Sequence, residues 1–220
     1  MPNLVISDIM MPEMRGDELC HILKNDIETS HIPIILLTAL NTDKNIIEGL
    51  QSGADEYIVK PFNIGILRAN IANLLTNRTL LRHKYASLND EKNDTDCINC
   101  SNDLDWKFIA TVKKSVEDNM DNPSFNVDVL CNLLNMSRTS FYNKIKALTD
   151  QAPADYIRLI RLKHAAQLLK EQKHTITEIS ELTGFSDAKY FREVFKKHFD
   201  MSPSQYAKRG KEGKDDKEIK

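Results

Sequence analysis

The sequence predicts two architectures in one chain: an α/β segment with a parallel sheet at the front, and an all-α segment behind it. Three observations predict this. Continuous apolar runs alternate with amphipathic stretches up to residue 78. From Trp106 onward every apolar pattern has helical spacing. The helical part also repeats itself at an offset of 49 to 50 residues.

The front elements come in a regular order. LVISDI (4–9), IPIILLTAL (32–40) and EYIVKPF (56–62) are continuous apolar runs, the pattern of parallel strands covered on both faces. Proline ends the third because it cannot continue a ladder. The stretches between them, GDELCHILKND and TDKNIIEGLQSG, are amphipathic helices, the second closed by Gly53 as a C-cap. NIGILRANIANLLTNR (63–78) reads as a last helix. Three β-α units imply a right-handed parallel sheet.

SLNDEKNDTDCINCSNDLD (87–105) is acidic, polar and without period, so it reads as linker. The expected helices beyond it are 106–120, 126–134, 137–148, 153–172, 175–183, 187–199 and a short 203–209. The domain reading is therefore an α/β segment at 1–78, a linker at 79–105, a helical domain at 106–210 and a disordered tail at 211–220.

Composition narrows the class of protein. With 41% hydrophobic and 28% charged residues the 220-residue chain reads as globular, and its longest apolar run falls short of the ~20 residues of a membrane helix. No signal sequence opens it. Four cysteines (Cys20, Cys97, Cys100, Cys131) do not make a disulfide framework at this length, so a reducing cytoplasm is expected. Residues 1–78 hold 6 Lys/Arg against 10 Asp/Glu, whereas residues 106–220 hold 21 against 16. Only the back has the charge to meet a polyanion.

The repeat aligns Val127, Leu130, Leu133 and Met136 with Ile176, Ile179, Leu182 and Phe185. It then aligns Phe141, Ile145, Pro153 and Tyr156 with Phe191, Phe195, Pro203 and Tyr206. Each unit is helix, short turn at Asn135 or Gly184, helix, then a proline-started helix. A duplicated helical hairpin without a partner would show the same pattern; a pair of helix-turn-helix DNA readers explains it better.

Residues 106–208, from WKFIATVKKS to SPSQYAK, resemble the AraC/XylS-type DNA-binding domain over its full length, with LNMSRTSFYNKIKALT and ITEISELTGFSDAKYFREVFKKHF matching its two recognition segments. The resemblance implies two helix-turn-helix units, joined by a long helix, entering successive major grooves of double-stranded DNA. Physical reasoning agrees: two such helices must sit about 34 Å apart, and a connecting helix of ~20 residues spans about 30 Å. Phe141, Ile145, Leu148, Phe191, Phe195 and Phe199 form the inner stripes. Position within the family pattern assigns DNA contact to Arg138, Thr139, Tyr142 and Asn143, and to Ala188, Lys189, Tyr190, Arg192 and Glu193. Lys144, Lys146, Lys196 and Lys197 are assigned to phosphates, which set register without reading sequence.

The front resembles the C-terminal part of a two-component receiver domain, in which a strand-end aspartate takes a phosphoryl group from a histidine kinase. SDIMMPEMRG, the strand-end threonine of ILLTAL, and VKPF carry the match. The resemblance implies Asp8 as the phosphorylated residue, Thr38 as switch hydroxyl, Tyr57 as switch aromatic and Lys60 as phosphoryl partner, with Lys60–Pro61 a cis peptide. Mg²⁺ would be held by Asp8 and the Met10 backbone carbonyl. The family supplies a further acid pair from its first strand, which has no counterpart here. The metal site is therefore expected to be incomplete, and Leu4–Ile9 to be an exposed edge inviting pairing with another chain. The chain is expected to be a fragment, as a truncated gene product or as part of a longer protein, and to bind Mg²⁺ and accept phosphate poorly.

A receiver followed by an AraC-type domain is similar to the C-terminal end of hybrid two-component regulators. These are membrane-anchored proteins of gut Bacteroidetes that switch on polysaccharide-use genes. The similarity implies a regulator of carbohydrate-use genes that acts as a homodimer with RNA polymerase as a partner, its longer parent anchored in the inner membrane. An interaction module built on the broken receiver edge is the other reading. An enzyme, with the receiver acting as its own slow phosphatase, is the least favoured because the metal site is expected to be incomplete, and this chain shows no kinase or sensor segment. Cys97 and Cys100 have zinc-like spacing but lack a second pair, Cys20 and Cys131 read as core, no HExxH spacing or phosphate loop is present, and the C-terminal KRGKEGKDDKEIK reads as a frayed tail.

Overall fold

The computed structural model describes residues 1–39, 52–86 and 102–215, with backbone alone at 77–86 and 210–215. The helix expected at 42–53 and the Cys97–Cys100 pair lie outside the described residues, although Gly53 has the left-handed φ of +84° expected of a C-cap.

Three parallel strands, β1 (Val5–Asp8), β2 (Ile34–Thr38) and β3 (Glu56–Val59), lie in the order β1-β2-β3. Val5 pairs with Ile34 and Asp8 with Leu37; Ile35 pairs with Glu56 and Thr38 with Val59. Helix α1 (Gly16–Asn25) has acids in its first turn and Lys24 in its last, in keeping with the helix dipole. Its apolar face joins a cluster of Ile9, Cys20, Ile34 and Leu36. Lys24 Nζ donates to Ile32 O at 3.1 Å and to Asp55 Oδ2 at 2.6 Å, and the same carboxylate oxygen accepts from Ile34 N at 2.8 Å. Helix α2 (Ile64–Ala86) runs eight residues past its expected end at 78, because TLLRHKYA contains no Gly or Pro to stop it.

Beyond it lie α3 (Asp103–Glu117), α4 (Val127–Leu133), α5 (Arg138–Thr149), α6 (Pro153–Glu171), α7 (Ile176–Leu182), α8 (Ala188–Phe199) and α9 (Pro203–Asp215). α3 starts three residues earlier than expected because the Asn102 side chain accepts from Asp105 N at 2.9 Å and caps it. Asn126 caps α4 through Asp128 N and Val129 N. Thr175 and Glu178 form a reciprocal capping box on α7. α9 extends past 209 to Asp215.

The repeat is visible in the backbone. Asn135 and Gly184, 49 apart, are both left-handed at φ 51° and 69°, and Asp150 and Asp200, 50 apart, both at 59° and 54°. Burial repeats as well: Leu130 and Ile179 are each 0% exposed, Met136 and Phe185 each 7%. Leu133 and Leu182, expected to be apolar partners, are both exposed, so this repeated position faces outward.

The chain divides into two compact units, Met1–Phe108 with Thr139–Gln151, and Ile109–Arg138 with Ala152–Lys220. The first holds the sheet and most of α5. The second has its core in Leu162, Ala165, Ala166, Leu169, Ile179, Phe185, Phe191 and Phe195. Phe191, Phe195, Phe199 and Tyr206 stack there in a chain of tilted and edge contacts, each favourable beyond simple burial.

Candidate functional site

The C-terminal edge of the parallel sheet gathers Asp8, Thr38 and Lys60. Asp8 ends β1, Thr38 ends β2, and Lys60 follows β3 with its backbone N donating to Thr38 O at 2.6 Å. Ligands of open α/β sheets bind outside the carboxyl ends of the strands. Gly16 is what lets the chain turn under this site: its N–H donates to Ile9 O at 3.0 Å, and a Cβ there would collide with Asp8 O. No larger residue fits so close to a backbone carbonyl.

Lys60 Nζ donates to Asp8 Oδ2, and Met10 N donates to Oδ1 at 3.3 Å. The Lys60 hydrogen bond, chiefly, holds the Asp8 carboxyl below its ordinary value. The pair is about one-third exposed on each side, so the Asp8 carboxylate is reachable from solvent. Lys60–Pro61 is cis, as expected. Thr38 is buried. Tyr57 packs on the Ile9–Leu36 cluster and shares a 3.0 Å hydrogen bond with the Ser52 hydroxyl, and burial pushes its phenol above the ordinary value.

Mg²⁺ demands near-octahedral oxygen coordination. Asp8 offers one carboxylate, already shared with Lys60, and Met10 one carbonyl, and among the described residues no group of three His, Cys, Asp or Glu side chains is placed to hold a metal ion. These groups alone do not make a Mg²⁺ site.

In the helical part, the expected inner residues Phe141, Ile145, Leu148, Phe191 and Phe195 are buried, and Phe199 is half-buried. Arg138, Thr139 and Tyr142 on α5 are exposed, as are Lys189, Tyr190, Arg192 and Glu193 on α8; Ala188 is half-buried. Arg138 is held loosely, in an exposed 3.1 Å ion pair with Asp128, of the kind worth about 0–1 kcal/mol. Asn143 is half-buried and lines a cleft of about 340 Å³ with His31, Lys146 and the first three residues. Lys146, Lys196 and Lys197 are exposed, and Lys146 lies 5.9 Å from the Tyr142 ring centre.

Lys144 corrects the expectation of a phosphate contact. It is fully buried and donates to Asp105 Oδ1 at 2.6 Å and to Ser30 Oγ at 2.8 Å, while Ser30 Oγ donates to the same Asp105 oxygen at 2.8 Å. Its Nζ also lies 5.1 Å from the Phe108 ring centre. Lys144 shares the α5 spacing of Phe141, Ile145 and Leu148, so it points inward, where an ammonium survives only if paired. Arg161 on α6 carries no signal in the sequence, yet it is buried among backbone carbonyls. Cys20 and Cys131 are buried and free, as expected.

Residues 1–72 match the model of the response regulator receiver domain and residues 130–209 that of a helix-turn-helix domain. Over 209 residues, 95% of its length, the chain is 46% identical to histidine kinase P4 of Formosa agariphila, but it spans only 15% of that protein. It is 49% identical over 74 residues to the probable transcriptional regulator ycf27 of Cyanophora paradoxa, covering 34% of the chain and 30% of the relative. Among solved structures, the C-terminal domain of the two-component response regulator yesN from Fusobacterium nucleatum aligns with 46% of the chain and 98% of that domain, at 27% identity and a TM-score of 0.43.

Proposed function

We propose that this chain, which joins a response-regulator receiver segment to a helix-turn-helix domain of the AraC type, reads specific DNA sequences under the control of phosphorylation at Asp8. The phosphodonor is a histidine kinase, and the target genes are those of carbohydrate use. Reading is assigned to Arg138, Thr139, Tyr142 and Asn143, and to Ala188, Lys189, Tyr190, Arg192 and Glu193. Thr38, Tyr57 and Lys60 carry the response to phosphate. The working form is a homodimer in the cytoplasm that contacts RNA polymerase, within a longer protein held at the inner membrane.

The observation that carries this reading is the division of α8. Phe191 and Phe195 are wholly buried, while Lys189, Tyr190, Arg192, Lys196 and Lys197 stand exposed on the same twelve-residue helix. One face is anchored, and the other offers cations and a ring to a groove. Fluorescence anisotropy of the whole chain on duplexes selected from sheared genomic DNA tests it. Site-selective binding, lost in the Arg138→Ala/Arg192→Ala double variant, is the expected result; equal, weak binding to every duplex would overturn it.

A second reading rests on β1. Among the described residues it pairs on one side only, and Ile6 on it is 42% exposed. An open apolar edge of this kind recruits another strand, which would make the front an interaction module. Association would then rise with protein concentration and vary little with salt, the reverse of DNA binding.

A further inference from the structure

Arg161 is the one charged side chain buried on α6. Its guanidinium reaches two loops that are distant in sequence. Nη2 donates to Asn122 O at 2.7 Å and to Phe125 O at 3.4 Å, in the loop that leads into α4. Nη1 donates to Gly184 O at 3.1 Å, in the turn between α7 and α8. The loops also meet directly, since a Cβ on Gly184 would come 2.5 Å from Met120 O and 2.9 Å from Arg161 Cζ.

Stability alone does not explain an arginine here. Its Nε is buried with no hydrogen-bond partner among the described residues, and burial of a cation costs free energy unless its donors are met. The guanidinium satisfies three carbonyls on two loops with one rigid, planar fork. An apolar side chain would take this donor from Phe125 O and Gly184 O, leaving Asn122 O only its 3.1 Å bond from Phe125 N, and a lysine has no fork to bridge both loops.

We propose that Arg161 is a positioning residue for DNA reading: it fixes the entry loop of the first helix-turn-helix against the turn of the second, and so sets the spacing of half-sites the protein accepts. This rests on the reading of the chain as a DNA binder. Two linked readers gain on the order of 10²–10⁴ in affinity when both engage, and lose it when geometry forbids simultaneous contact. Arg161 thereby contributes to specificity without touching a base.

The test uses the whole chain and a duplex selected by it from a random library. The same duplex is also prepared with either half scrambled and with one base pair inserted at its centre. Arg161→Met and Arg161→Lys are compared with wild type by anisotropy, with circular dichroism reporting fold. The expected result has three parts: Arg161→Met binds the selected duplex on the order of 100-fold more weakly; both half-scrambled duplexes bind as in wild type; and the penalty for the inserted base pair shrinks, with Arg161→Lys intermediate. Wild-type spacing discrimination in both variants would overturn the proposal, as would equal loss on every duplex. Loss of helical signal in both variants would overturn it too, showing a role in folding alone. A wild-type chain that selects no duplex would instead refute the DNA-binding reading and this inference with it.

Discussion

Lys144 Nζ lies 2.6 Å from Asp105 Oδ1, and both side chains are completely buried. Asp105 Oδ2 has no hydrogen-bond partner among the described residues, so the carboxylate depends on Lys144 and Ser30. Breaking a buried pair by removing one partner costs about 3–5 kcal/mol, whereas replacing both by apolar groups is near neutral or stabilising. Lys144→Met is therefore expected to lose about that much, and Lys144→Met/Asp105→Leu to recover most of it. Ser30→Ala, which removes a hydroxyl from the same oxygen, is expected to cost about 1–3 kcal/mol. Urea denaturation of wild type and the three variants measures all of this, and equal costs for the Lys144 single and double variants would contradict it.

The Asp8–Lys60 pair makes a prediction about pH. The Asp8 carboxyl lies below its ordinary value of 3.8, held there mainly by Lys60. A depressed carboxyl contributes stability that is present above pH 3.8 and lost as pH falls through the lower, folded value. The contribution is small because both groups are partly exposed. Lys60→Met should raise the Asp8 pKa toward 3.8 and remove this acid-side loss. Carbon-13 titration of the Asp8 carboxyl checks it; an unmoved midpoint would mean that the backbone N–H of Met10, rather than Lys60, sets it.

Lys144 and Arg161 also show where reading the sequence reaches its limit. The apolar rhythm locates the strands and helices, and the repeat aligns Asn135 with Gly184, which share a left-handed turn. Asp8, Thr38 and Lys60 are legible because each ends a strand or follows one, and parallel strands bring their ends together. The spacing of Lys144 with Phe141, Ile145 and Leu148 puts it on the inner face, but its partners are 39 and 114 residues away, so nothing local shows what pairs its charge there. Arg161 escapes for a related reason: its partners are backbone carbonyls, which carry no residue-type signal. The start of α3 is hidden because its cap, Asn102, lies within a stretch whose composition is that of a linker.

Two glycines should tolerate substitution badly, for different reasons. At Gly184 the left-handed φ of 69° and a Cβ contact of 2.5 Å with Met120 O combine; left-handed backbone costs a non-glycine residue about 1–2 kcal/mol before any clash. At Gly16 φ lies outside the left-handed region, but a Cβ would collide with Asp8 O, and relief must move the Asp8 strand or α1, an overpacking cost of about 1–3 kcal/mol. Gly65→Ala is the control, since its close neighbour is the Asn63 side-chain end and alanine favours helix by about 1 kcal/mol. Thermal melts should rank Gly65→Ala at or above wild type and both others below it.

The lysines separate by salt. Each phosphate contact adds about 0.9 to the slope of log affinity against log salt, so Lys146→Ala, Lys196→Ala and Lys197→Ala should each lower that slope by about 1 if the exposed side chain meets a phosphate. Arg192→Ala should instead relax the preference at one base pair by about 1–3 kcal/mol. Lys144 distinguishes burial from contact: Lys144→Ala should leave the slope unchanged while lowering stability, because its ammonium is occupied by Asp105 and Ser30. Anisotropy titrations across a salt series, run below the melting point of each variant, give both numbers. A reduced slope in Lys144→Ala would mean that Lys144 leaves its buried pair when DNA binds, and that the Asp105 contact is broken by the act of reading.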